Sequence, residues 1–380
     1  MHNIQHQSCG VIPQHMLDRI AARSGPESSR LALSTLEQMR ELISLRGIRH
    51  GGPLAEATVK GPLKSRRVYD AKNKRQTPGR LVMDEHSKRG NDVEVNEAFD
   101  GSGLVYDFYS TIFGRSSIDG KGKRLDSIVH YGVHFDNAMW DGREMIYGDG
   151  DGKIFNRFTS CEDIIGHEIT HGHTQYLCGL GYSGQTGAIN EHISDAFGSM
   201  ILQWARNETP SEASWLIGKG LFGPGVSARG IRSLAAPGTA YDDPVLGKDP
   251  QPDHMRNYVV TQDDNGGVHI NSGIPNKAFY LFATAVGGYS WQVPGHIWFE
   301  TVSTRVRPDS NFADFARAAV DVAGELYGNG SNVQESLAQS FALVGINVPL
   351  LGTKAVKETG PLSPRKPKAR HSRRPLQPAA

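Results

Sequence analysis

HEITH, residues 167–171, decides how this chain is read. The residues around it, 161–177, are compatible with one helix. On a helix, positions four apart lie one above the other, so His167 and His171 present both imidazoles to one metal ion. Glu168 stands beside them, where it can face a water on that ion. The pentapeptide by itself is a pattern that chance also produces.

A second helical stretch, residues 188–205, carries NEHISD at 190–195. Glu191 and Asp195 are four apart and share a face. A catalytic zinc takes three protein ligands and leaves one position open, and two histidines with a glutamate are a recognised set. On this reading Glu191 is the third ligand. Asp195 accepts the other ring N–H of a ligating histidine and fixes its tautomer. The alternative is a solvated acidic face. Against it, Ala188, Ile189, Ile193, Ala196 and Phe197 make the helix mostly interior, where carboxylates need partners. His192 neighbours Glu191, points away by about 100° on a helix, and is left out of the metal set. A third stretch, DNGGVHINSG at 264–273, places His269 after a glycine-rich turn with Asp264 five residues before it. That suits an oriented imidazole near a site, although taken alone it reads more readily as a structural turn.

HEITH, GAINEHISDAFG and DNGGVHINSG in that order, together with NAMWDG at 137–142 and YGDGDG at 147–152, closely resemble the thermolysin family of neutral zinc metallopeptidases. The resemblance covers roughly residues 65–348. It implies an α+β fold of two domains, β-rich then helical, with the zinc helix at the base of the cleft between them. It implies one Zn2+ per chain, held by His167, His171 and Glu191, with Glu168 as general base. Asp195 and Asn190 are then the outer partners of the histidines. His269, oriented by Asp264, and Tyr182 stabilise the oxyanion. Asn137, the backbone of Ala138, and Arg232 hold the substrate. The implied activity is that of an endopeptidase acting on peptides or proteins. Phe155, Phe158, Ile164, Ile217 and Ile231 fall where the family builds the pocket after the scissile bond, so a bulky apolar residue is expected there.

The chemistry agrees with that assignment. Zinc lowers the pKa of a bound water and polarises a carbonyl, a carboxylate carries the proton, and charge on the former carbonyl oxygen needs donors aimed at it. A zinc aminopeptidase would need an acidic clamp for a free amine, and no clear one is visible. A zinc-stabilised binding protein would leave Glu168 without a task.

Calcium is not expected at the double site of the family. Asp163 matches one of its carboxylates, but Leu202, Leu216 and Lys219 stand where the family has Glu. Calcium needs six to eight oxygens. In YGDGDG, Lys153 follows where a calcium loop wants another oxygen ligand, so that segment reads as a glycine turn.

Residues 1–60 look separate. Pro13 opens a helix over 15–23, Gly25-Pro26 breaks it, and a second over 29–46 carries Leu36, Met39 and Ile43 before Gly47 and Gly51-Gly52-Pro53 end it. VIPQHMLDRIA at 11–21 resembles the short propeptide of protealysin-like members, which usually reads IPPYLLRRIA, and departs from it at Gln14-His15. Residues 1–60 are therefore expected to be a removable propeptide that inhibits its own enzyme, with Cys9 a candidate zinc thiolate. Short strands are expected over 67–70, 80–84, 103–109, 125–135 and 144–147 within a β-rich domain at 61–160. Residues 161–348 form the helical domain, interrupted by the Gly/Pro-rich 220–267. Residues 349–380 are a basic, Pro-rich tail expected to be disordered.

The net charge of +1 argues against a nucleic-acid binder, and no apolar run is long enough to span a membrane. Three cysteines make no disulfide framework, leaving a bridge between Cys161 and Cys178 as a minor alternative. The first residues lack a charged start followed by an apolar stretch, so no secretory signal is expected. The family is mostly secreted. Secretion is expected by resemblance, with cytoplasmic retention and non-classical export left open.

Overall fold

Pro13, Gly25 and Pro26 place the first two helices. Proline favours the start of a helix and glycine its interruption, and in the computed structural model α1 spans Gln14–Arg23 and α2 spans Pro26–Arg49. The structure describes residues 10–49 and 64–350, with the side chains of 45–49 excepted. Gly47 does not end α2 as expected, because one glycine costs a helix interior only about 1 kcal/mol. Cys9, the break at 51–53 and the basic tail lie outside the described residues.

A mixed five-stranded sheet follows. Its strands are β1 (Arg66–Asp70), β2 (Arg80–Asp84), β3 (Leu125–Val129), β4 (Ala138–Trp140) and β5 (Met145–Tyr147), in spatial order β2-β1-β3-β5-β4. β1 runs parallel to β3 and β3 to β5, while β2 and β4 pair antiparallel at the two sides.

The strand expected over 103–109 is instead part of a long helix, α3 (Val93–Phe113). Its aromatic and β-branched content suggests a strand, but the buried Val95, Ala98, Val105, Phe108 and Tyr109 recur at helical spacing. Asp92 caps the start by accepting the Val95 N–H at 3.1 Å, and Gly114 closes the end in the left-handed conformation. The expected strand over 125–135 also stops early, at Val129, and His130 turns the chain at φ 52°.

The zinc-motif helix α4 (Glu162–Leu177) packs on α3 and on α5 (Gly184–Arg206). Two glycines let α4 and α5 approach closely. A Cβ on Gly198 would lie 2.6 Å from the Asp163 carbonyl oxygen, and one on Gly166 would lie 3.2 Å from the Cα of Gly198. This contact brings Glu191 and Asp195 across to the two histidines. Beyond it come the short ribbon β6 (Leu216–Ile217) and β7 (Arg232–Ser233), then α6 (Asp264–Asn271), α7 (Gly273–Val286), α8 (Val293–Thr304), α9 (Phe312–Tyr327) and α10 (Asn332–Leu343). Trp298, Phe279, Phe315 and Phe341 form the aromatic core of this helical part.

Candidate metal centre and substrate cleft

The 3.6-residue period of α4 stacks His167 over His171, and their Nε2 atoms lie 3.1 Å apart. Glu191 comes over from α5, with Oε2 at 3.4 Å from His167 Nε2 and Oε1 at 3.3 Å from His171 Nε2. All three side chains are buried. The far sides of both rings face polar groups, hydrogen-bonded at His171 and at ion-pair distance at His167. His171 Nδ1 faces Asn190 Oδ1 at 2.9 Å and Ser194 Oγ at 3.0 Å, and His167 Nδ1 lies 2.9 Å from Asp195 Oδ1. With the ring protons on Nδ1, both Nε2 lone pairs converge on one point beside a carboxylate, which is unfavourable without a cation between them. A tetrahedral site with ligand distances of about 2.0–2.1 Å has edges of roughly 3.3 Å, so the donor set fits zinc.

Glu168 is fully buried beside this group. Its Oε2 accepts the backbone N–H of Trp140 at 2.8 Å, and its Oε1 has no hydrogen-bond partner. Burial raises its pKa, against the opposing pull of His167 and His171, which suits a carboxylate that takes up and returns a proton. The role of the Trp140 amide was not legible beforehand, because backbone donors carry no sequence signature.

On the other side stand Tyr182 and His269. His269 follows a tight turn in which Asp264, Asn265, Gly266 and Gly267 all have left-handed φ, a conformation that Asp, Asn and Gly tolerate best. Asp264 then accepts both the backbone N–H of His269 at 2.8 Å and its ring Nδ1–H at 2.6 Å. Burial opposes protonation of His269, but Asp264 and Glu191 outweigh it and raise the pKa. His269 Nε2 lies 3.4 Å from both the Tyr182 hydroxyl and Glu191 Oε2, while the Tyr182 hydroxyl donates to Glu191 Oε1. Two donors therefore converge on the open side of the three-ligand group.

The cleft edge is β4. The N–H of Val11 donates to the Ala138 carbonyl at 2.9 Å. The N–H of Ile12 donates to Asn137 Oδ1 at 3.0 Å, and Asn137 Nδ2 donates to the Ile12 carbonyl at 3.1 Å. Arg232 donates through Nη1 to the Val11 carbonyl at 3.1 Å, and its Nε and Nη2 clasp Asp195. So the three expected substrate-holding groups all meet residues 11–12, which lie beside β4 through one backbone hydrogen bond and two bonds to the Asn137 side chain. His192 points away from the centre, as its sequence position required, and bonds Asn276 and Trp298. Phe155, Phe158, Ile164, Ile217 and Ile231 are all buried, with Ile164 and Ile231 meeting over Gly218. Cys161 and Cys178 are both free thiols.

Comparison with known proteins agrees with this arrangement. Residues 54–175 match the family described as thermolysin metallopeptidase, catalytic domain, and residues 178–346 match thermolysin metallopeptidase, alpha-helical domain. An extracellular metalloprotease of Pectobacterium carotovorum subsp. carotovorum is 44% identical over 341 residues, spanning 90% of this chain and 97% of that protein. Protease PrtS of Photorhabdus sp. (strain Az29) is 41% identical over 345 residues, spanning 89% and 92%. Among solved structures, the precursor of protealysin, a metalloproteinase from Serratia proteamaculans, superposes with a TM-score of 0.82 at 44% identity, covering 89% of this chain and 99% of that one. By sequence and by fold, this chain belongs to the thermolysin family of zinc-dependent metalloendopeptidases.

Proposed function

We propose that His167, His171 and Glu191 hold one zinc ion and that Glu168 carries the proton in peptide-bond hydrolysis. The observation that carries this reading is the ring of three donors at 3.1–3.4 Å beside a buried carboxylate oxygen without a partner. A zinc ion held by these three residues would supply water activation and carbonyl polarisation. Glu168 Oε1, buried and unpartnered among the described residues, would take the proton of the attacking water and return it to the leaving amine, while the Trp140 N–H holds Oε2. Tyr182 and His269 donate to the substrate oxygen as it gains charge, and Asp264 holds the His269 ring for that task. Asn137, the Ala138 carbonyl and Arg232 hold the peptide extended along β4. The buried apolar group of Ile164, Ile217 and Ile231 with Phe155 and Phe158 favours a bulky apolar residue after the scissile bond.

Residues 1–60 act as an inhibitory propeptide on this reading. Its support is the seating of Val11 and Ile12 on the groups that would hold substrate. The catalytic domain then runs over 61–160 and the helical domain over 161–348, with 349–380 a basic tail. Zinc is the tightly bound metal and calcium is absent from the site near Asp163. Both Asp163 oxygens already accept backbone N–H groups, from Ile164 at 2.9 Å and Gly218 at 2.8 Å. Leu202 and Leu216 offer no oxygen ligand from their side chains. Secretion is supported by the names of two relatives, each called an extracellular metalloprotease. No described helix is long and apolar enough to cross a membrane.

The test is cleavage of a mixed peptide library by the purified chain, with and without a zinc chelator, combined with N-terminal sequencing of the active form. Chelator-sensitive cleavage before bulky apolar residues, by protein starting near residue 60, is the expected result. Chelator-insensitive cleavage overturns the metal assignment. Active protein still starting at Met1 overturns the propeptide assignment.

A further inference from the structure

Asp195, the outer partner of His167, is itself held by Asn276, a side chain outside every motif above. Asn276 on α7 donates through Nδ2 to Asp195 Oδ2 at 2.8 Å. Its Oδ1 lies 2.8 Å from His192 Nδ1. His192 Nε2 in turn lies 2.8 Å from the indole Nε1 of Trp298 on α8. Trp298, His192, Asn276, Asp195 and His167 are each 0% exposed.

The direction of every bond in this chain follows from its far end. An indole Nε1–H can only donate. His192 Nε2 must therefore accept, so the His192 ring proton sits on Nδ1 and donates to Asn276. Asn276 then has to present its oxygen to His192 and its NH2 to Asp195. The flipped amide would set N–H against N–H on one side and oxygen against carboxylate on the other, both buried, where such mismatches are costly. Asp195 thus receives Arg232 on one flank and Asn276 on another. What remains of Oδ1 faces His167 Nδ1 at 2.9 Å.

We propose that Asn276, with its amide direction set by His192 and Trp298, is a positioning residue that aims the Asp195 carboxylate and thereby holds His167 in its metal-binding orientation. This rests on the zinc reading above. Arg232 reaches both oxygens, Oδ2 through Nε and Oδ1 through Nη2, each at 2.8 Å, but its planar fork grips the carboxylate from one direction, and Asn276 adds a second donor to Oδ2 from another helix. The chain explains why a histidine next to Glu191 points away from the centre: it serves the centre through Asn276.

The test measures zinc release from the zinc-loaded chain and the visible absorption of its cobalt(II)-substituted form, alongside Tm, for Asn276→Ala, Asn276→Asp and Trp298→Phe. Loss of an outer partner typically costs about 10–100-fold in metal affinity or activity. Asn276→Ala should release zinc faster on that scale, shift the cobalt spectrum, and lower kcat with KM little changed. Asn276→Asp sets a second carboxylate against Asp195 and should do worse than Ala, although it is nearly isosteric. Trp298→Phe removes one N–H donor and keeps the aromatic packing, so a smaller change of the same kind is expected. It carries the decision where the Asn276 variants do not fold. Variants with lowered Tm but wild-type zinc release and cobalt spectra overturn the proposal, since a purely structural network would behave that way. A wild-type chain that binds no stoichiometric zinc overturns the zinc reading, and this inference with it.

Discussion

The cleft is closed by two regions built on opposite principles. Where α4 meets α5, buried charged groups satisfy one another. Asp195 is gripped by Arg232, Asn276 and His167, and His171 by Asn190 and Ser194. Residues 10–49 cover the same cleft mainly with apolar side chains. Val11, Ile12, Met16, Leu17 and Ile20 are at most 1% exposed, and burying each contributes about 1.5–3 kcal/mol. Their polar links include substrate-like contacts on Asn137, Ala138 and Arg232, the Arg19 guanidinium on the Leu246 and Lys248 carbonyls, Thr35 Oγ1 accepting the Asp136 N–H at 3.1 Å, and rim ion pairs of Lys153 with Glu27 and of Arg75 with Glu37 and Glu41. Exposed pairs of that kind are worth about 0–1 kcal/mol. Two buried polar atoms under this cover, His15 Nδ1 and Gln38 Oε1, have no partner. On the proposed reading, the buried polar groups of the centre satisfy one another, whereas the contacts of residues 11–12 on Asn137, Ala138 and Arg232 are of a kind that a bound peptide would replace. That would separate a permanent centre from a removable cover.

The sharpest way to break the first half of this comparison is Glu168→Gln. Activity should fall by about 10²–10⁴-fold, the range for a lost general base, with zinc content unchanged. A zinc-loaded variant keeping more than a tenth of wild-type turnover would remove Glu168 from its role.

The second half is tested by adding Ile12→Asp to the Glu168→Gln chain, which cannot process itself. An unpaired buried charge costs about 3–5 kcal/mol, so hydrogen exchange in residues 14–23 should quicken on the order of a hundredfold or more. Unchanged protection there would show that residues 11–12 do not anchor the cover.

Acid should loosen the cover and leave the centre's internal bonds less affected. His15 is pushed down to about 4, first by burial and then by His269, Arg19 and Arg232, with Asp264 opposing. Its Nε2 contacts only the Tyr241 hydroxyl, at 3.4 Å. A histidine whose pKa is lower docked than free favours docking fully above the free value of about 6.5, and that contribution is lost as pH falls through 4. Exchange protection of residues 14–23 in the Glu168→Gln chain should therefore weaken by roughly tenfold or more between pH 7 and 5. His15→Gln should flatten this dependence, and an equally steep profile in that variant would assign it to another group.

The smallest expected effect concerns calcium. A calcium-selective chelator that spares zinc should move Tm by no more than about 1 °C, against the several degrees that loss of a bound ion brings. A larger drop would show a carboxylate site beside Asp163 that the described geometry does not provide.

Much of the centre was legible because its signals are local. Helical period alone sets His167 over His171 and Glu191 over Asp195; the ordered motifs carry Asn190, Asp264, His269, Asn137 and Ala138, while Tyr182 and Arg232 came only with the family resemblance. Composition misled at 103–109, where Val105, Tyr106, Phe108 and Tyr109 have the content of a strand and the Asp92 cap that opens α3 lies 11 residues upstream of position 103.

The sequence by itself thus determined the ligand types, their spacing and the helices that carry them, since those depend on residues within a turn or two of each other. Only the tertiary structure decided which groups those helices face. The approach of α5 to α4 at Gly198 brings Glu191 over the histidines. The amide of Asn276 and the indole of Trp298 reach the centre from 81 and 106 residues away, measured to the partners they bond. Residues 11–12 find β4 from about 125 residues away. Hydrogen-bond direction and burial act between neighbours in space, and no periodicity along the chain encodes who those neighbours are.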